Sequence, residues 1–274
     1  MSRVPGPEVA MQCSQIVGSS TVANLRDLGG IALPGGRRVR PGTAFRSGQL
    51  DRLDTAADPV FARLGIRTVV DLRTERERTV RPDRMPGGAH LLVADVMADP
   101  AGTGTAARLA AALADPAVAA REFRNGRAAH ALAADYRAFV TAESARHAYR
   151  QLITALAHKE GGPVLFHCTA GKDRTGWGTA LVLLLLGADT ATVEAEYLSV
   201  GPAVRAAFAP MVQEFTAAGG DPEIADAVFG VRPEYLRAAL QAVADGWGDA
   251  ESYARAALGV KDETLGHLRE NLIA

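Results

Sequence analysis

His167, Cys168, Arg174, Thr175 and Gly176 fall within one short run, Gly162 to Gly178, which reads GPVLFHCTAGKDRTGWG. Cysteine attacks only as the thiolate, and a free thiol has a pKa of about 8.5. It therefore needs a site that favours negative charge. An arginine six residues further on, at 174, supplies a planar fork that matches two phosphate oxygens. A nucleophile beneath a phosphate and a bidentate cation beside it are the parts for phosphoryl transfer through a cysteinyl-phosphate.

The flanking residues build such a site. Val164-Leu165-Phe166 is a short apolar run, and the chain is apolar again from Trp177 to Leu186. That pattern predicts a buried strand, a tight loop, and the N-terminus of a buried helix. Backbone N–H groups and the positive end of the helix dipole then converge on one spot. Thr169, Ala170, Gly171 and Lys172 form the cradle. A nucleotide P-loop is excluded: it needs Gly at 166 and Ser or Thr at 173, where Phe and Asp stand. An arginine at a helix start opposes the dipole unless an anion is present.

His167 to Gly176, HCTAGKDRTG, resembles the signature loop of cysteine-dependent protein tyrosine phosphatases. Its Ala170–Arg174 core is closest to a bacterial branch acting on phosphoproteins and phosphoinositides. NLRD, FRSGQLDRLD and LGIRTVVDLRTERE resemble the same branch, so the likeness runs from about residue 24 to the C-terminus. It implies a phosphatase needing no metal or cofactor, with Thr175 helping the thiolate depart and His167 orienting the loop. Lys172 resembles the lysine of lipid phosphatases whose signature reads HCxAGKxR, which argues for phosphoinositides beside phosphoproteins. Arg26, Asp27, Arg46, Asp71 and Arg73 would brace the loop from behind. Tyr136 and Phe139 would line the cleft. A helical lid over 203–229 would carry Met211, Phe215 and Phe229 underneath.

The proton donor is less settled. Most of the superfamily uses the aspartate of a Trp-Pro-Asp tripeptide, absent from this chain. Asp95, ending a candidate strand, matches the position expected of that residue. Asp173 is the rival; it lies beside the phosphate, between two cations that favour its ionised form. A phosphate-binding module without turnover is the alternative, against which Cys168 and Arg174 speak. Sulfurtransferases and arsenate reductases lack the His-Cys-x5-Arg-Thr-Gly arrangement.

Composition sets the wider limits. The chain has 274 residues, 48% hydrophobic and 22% charged, enough for one large core. The expected division is a loose segment over 1–20 and a single domain over 21–274. A net charge of −1 gives no basic field for nucleic acid or anionic membrane. With two cysteines, Cys13 and Cys168, and no apolar leader, the expectation is a reduced, cytoplasmic protein. Export by a route without a cleavable signal stays open. No apolar run is long enough for membrane insertion.

The expected fold is α/β, a small, mostly parallel sheet flanked by helices, with a helical C-terminal part. Strands are expected at Thr43–Ser47, Ile66–Leu72, Ala89–Ala94 and 164–166, and a hairpin at 31–40. Helices are expected at 53–64, 128–141, 143–158, 175–186, 191–200, 203–217, 222–229, 249–258 and 262–273, with another restarting at Pro233. Arg73 to Arg81 reads as a solvated helix start, and 101–126 as an insertion of poor periodicity.

Overall fold

The computed structural model describes residues 13–99 and 114–274. Among them a six-stranded sheet runs β1 (Gln15–Ile16), β2 (Arg26–Asp27), β3 (Ala44–Ser47), β6 (Val164–His167), β4 (Thr68–Asp71) and β5 (His90–Val93), in that spatial order. β3, β6, β4 and β5 are parallel; β1 and β2 add an antiparallel edge. β6 is buried at every residue, as a parallel strand covered on both faces should be. Register places Ser47 and Asp71 on either side of His167. Loops leaving these carboxyl ends therefore share one rim, where α/β sheets place their ligands.

The helices are α1 (Pro59–Ala62), α2 (Glu75–Val80), α3 (Pro116–Phe123), α4 (Arg127–Thr141), α5 (Glu143–Ala157) and α6 (Asp173–Leu185). Then come α7 (Thr190–Ser199), α8 (Gly201–Ala217), α9 (Pro222–Phe229), α10 (Pro233–Trp247), α11 (Ala250–Ala256) and α12 (Asp262–Leu272). α6 is apolar all round and is the central helix of the main core, with Trp177, Leu181 and Leu183 fully buried. A smaller core of Leu25, Phe45, Phe61, Val69 and Leu165 fills the other side of the sheet.

Several expectations change. The helix over 53–64 shrinks to α1, because Asp58 caps at Phe61 N and Pro59 opens the turn. The hairpin at 31–40 reduces to a bridge between Ala32 and Arg38, while Val39 bridges Ile273. Part of the expected insertion is regular: Asp115 caps α3 through Ala117 N. Residues 13–20 are tied down rather than loose. Gln15 and Ile16 pair with β2, Ser14 bonds Glu196, and Ser19 and Thr21 donate to Asp58. The rest of that segment, residues 1–12, lies outside the described residues. No described helix is long and apolar enough to cross a membrane.

Candidate active site

The loop after β6 is held from outside by its carbonyls. Gln49 N donates to Thr169 O, and Asn24 Nδ2 donates to Ala170 O and Gly171 O. Arg46 Nη2 donates to Gly171 O at 2.8 Å. In a trans peptide the N–H points opposite the C=O. Fixing these three carbonyls outward turns the N–H groups of Ala170, Gly171 and Lys172 into the hollow of the loop. Gly171 is required here. Its φ is +66°, and a Cβ would lie 2.4 Å from Ser47 O.

No side chain caps α6, so its first-turn N–H groups remain for an anion. Cys168 is buried at the base of the loop. Thr175, one turn into the site, is fully buried, and its hydroxyl has no hydrogen-bond partner among the described residues. A buried hydroxyl left unpaired is costly.

Arg174 is positioned by a residue the motif reading passed over. Glu77 binds it with both oxygens, Nη1 to Oε2 and Nη2 to Oε1, each at 2.7 Å. Arg73–Arg81 does hold a helix start, with Glu75, Arg76, Thr79 and Val80 exposed, but Arg73 is buried and Glu77 turns inward to the loop. Thr74 and Glu77 form a capping box on α2, which aims Glu77 at the loop. Thr169 Oγ1 donates to the same carboxylate. Burial alone would raise the Glu77 carboxyl, but the bonds and charge of Arg174 reverse this and hold it far below the usual carboxylate range. Burial disfavours the Arg174 charge, yet Glu77 holds its pKa above the ordinary value. The Thr74-x-x-Glu77 spacing is a readable helix-start signal; the ion pair across the fold is not.

Beneath the loop lies a second cluster. Arg73 Nη2 sits 2.7 Å from Asp71 Oδ2 and 2.8 Å from Asp83 Oδ2. His167 Nε2 is 3.0 Å from Asp83 Oδ2, though the two are not aligned for a hydrogen bond. Asp71, Asp83 and His167 bring three ligand atoms within 4.8 Å of one another, as a metal site would. The Arg73 guanidinium already pairs with both carboxylates, which disfavours a doubly charged metal ion there.

The aspartates part company. Asp95 is spent on α2: it accepts from Glu75 N at 3.0 Å and Met97 N at 2.9 Å, with Arg78 at 3.5 Å. Asp173 stands at the loop itself. It accepts from Tyr136 at 3.0 Å and lies 3.4 Å from Lys172 Nζ. Tyr136 is fully buried and lines no cleft. Having spent its single O–H on Asp173, it must accept from Tyr197, 2.7 Å away. Burial first, then the Asp173 charge, push the Tyr136 phenol well above its ordinary value, so it stays a donor.

Lys172 also departs from expectation. Its ammonium donates to Val228 O at 2.7 Å and Gly230 O at 3.0 Å, closing the C-terminus of α9 rather than facing the hollow. The α8–α9 pair is thus anchored to the loop. Phe215 and Phe229 are buried in the core, whereas Met211 is exposed. Asp27 holds Gly29 N and Gly42 N, a turn and not the loop; Arg26 reaches the loop only through Asn24. Phe139 lines a cavity of 20 Å³ with Val96, Asp99 and Ser144, away from the loop and big enough for about one water.

The model of a tyrosine phosphatase family matches residues 17–274. The chain belongs to the tyrosine phosphatase family. It is 36% identical over 272 residues to the triple specificity protein phosphatase PtpB of Mycobacterium tuberculosis, covering 91% of this chain and 96% of that one. A putative tyrosine-protein phosphatase of Cupriavidus necator is 31% identical over 245 residues, covering 88% and 83%. The crystal structure of P. aeruginosa TpbA aligns with a TM-score of 0.30 at 18% identity, over 75% of this chain and 90% of that one.

Proposed function

We propose that the protein hydrolyses phosphotyrosine through a cysteinyl-phosphate on Cys168. One observation carries this reading: a buried cysteine lies at an uncapped helix N-terminus, beside an arginine whose fork Glu77 already orients. The phosphate seats on the N–H groups of Ala170, Gly171 and Lys172 and on the N–H groups of Arg174 that Glu77 leaves free. Cys168 Sγ attacks phosphorus, the P–O bond to tyrosine breaks, and the leaving oxygen takes a proton. Asp173 is the better donor, because Asp95 is committed to capping α2. Water then hydrolyses the P–S bond, and Thr175 stabilises the departing thiolate.

The similarity to a triple specificity phosphatase supports phosphoserine and phosphothreonine as further substrates. Phosphoinositides are a weaker extension, because Lys172 serves α9 in this conformation. Phosphate and other oxyanions should occupy the loop as competitive inhibitors. The test is Cys168→Ser assayed on p-nitrophenyl phosphate and a phosphotyrosine peptide. Turnover should vanish while vanadate still binds; undiminished turnover would sink the reading.

A further inference from the structure

We propose that Asp83 is a positioning residue of this reaction, acting on Cys168 through His167. The inference rests on the nucleophilic role of Cys168 proposed above, but on geometry of its own.

Both ring nitrogens of His167 face acceptors. Nε2 lies 3.0 Å from Asp83 Oδ2, and Nδ1 lies 3.2 Å from Cys168 O. A neutral imidazole has one N–H and one lone pair, so one of these contacts would be repulsive. Only a ring protonated on both nitrogens turns a lone pair to neither oxygen, although the Nε2 contact is not an aligned hydrogen bond. The charges agree. Asp71 and Asp83 are two buried anions, and Arg73 is one buried cation. The cluster is neutral only when His167 carries the second positive charge.

The groups around His167 leave it this task. β4 contributes Asp71, the loop after it Arg73, the segment after α2 Asp83, and β3 the uncharged Ser47. From α2 and α6 come Glu77 and Arg174, which pair with each other. Arg46 is paired with Glu196, and Lys172 with Asp173. Each of these cations at the loop already has a carboxylate. The His167 imidazolium, bonded to the Cys168 carbonyl, is then a cation placed to balance a thiolate at the same residue. Asp83 is what holds the ring there; its other oxygen accepts from Leu50 N, which fixes its own orientation.

The test measures the thiolate directly. Iodoacetamide alkylation of Cys168 is followed against pH in wild type, Asp83→Asn, His167→Asn and the double variant. Asp83→Asn keeps the shape and removes the charge. Its profile should move up by roughly one pH unit, and the double variant should match His167→Asn alone. An unmoved profile in Asp83→Asn, even with lowered thermal stability, overturns the proposal and leaves Asp83 a brace. Should Asp83→Asn fail to fold, the imidazole ¹⁵N spectrum of wild type decides. Two protonated nitrogens where alkylation is fast support it, and a neutral tautomer there overturns it. Absent turnover with a normal alkylation profile would instead count against the phosphatase reading alone.

Discussion

Glu77 holds Arg174 by two parallel hydrogen bonds of 2.7 Å across 97 residues of chain. Of the five N–H donors of a guanidinium, this pair uses two. A third, on Nη1, leans on Leu72 O at 3.5 Å, which leaves Nε and one N–H of Nη2 for substrate with the plane already set. Preorganisation of this kind lowers the barrier because the donors need not turn during reaction.

Replacing Glu77 by Gln should therefore lower kcat/KM on phosphotyrosine by about 10- to 100-fold, the worth of one charge-assisted hydrogen bond. Steady-state kinetics checks this. A wild-type kcat/KM would mean Arg174 orients itself.

The same carboxylate gives a pH signature. The folded protein holds the Glu77 carboxyl below its ordinary value, whereas the unfolded chain does not. Its stabilisation is therefore present above the ordinary glutamate range and is lost as pH falls through about 4 and below. Denaturant unfolding should show a constant gap between wild type and Glu77→Gln above about pH 5, closing towards acid. A gap that widens towards acid would contradict the pairing.

The two aspartates should separate cleanly. Asp173→Asn should slow hydrolysis of phenyl phosphate by about 100-fold, within the range of general acid catalysis, and slow a substrate with a better leaving group less. Asp95→Asn should leave kcat near wild type but lower stability by about 1 kcal/mol through the lost α2 cap. A reversed pattern, read by leaving-group dependence and thermal melting, would reassign the acid.

Lys172→Met removes two hydrogen bonds from the end of α9. Amide exchange over 222–230 should become faster, because local opening loses its anchor. Unchanged exchange would show that Phe215 and Phe229 hold the helix alone. If phosphotyrosine and phosphoinositide turnover fall equally, Lys172 acts on the loop and not on the substrate headgroup.

Residues 164–178 carried their own meaning, because strand, turn and helix N-terminus are contiguous and their hydrogen bonds are local. Cys168, Arg174 and the hollow between them could be read from residue types and spacing alone. The same holds for the parallel sheet and for α4, α5 and α10, where apolar periodicity and terminal Pro or Gly mark the elements. Side-chain partners were not legible in this way. Glu77, Asp83, Tyr197 and Glu196 lie 10 to 150 residues from the groups they serve, and sequence shows a charge but not what it faces. Strand register decided that Asp71 would lie beside His167 and Ser47 beneath Gly171. Packing decided that Tyr136 would be sealed under Asp173 and that Lys172 would turn from the loop to α9. Such choices depend on which buried polar groups can be satisfied together. The linear chain therefore marked the candidate nucleophile and phosphate clamp, and only the tertiary structure decided how each is placed and what holds it.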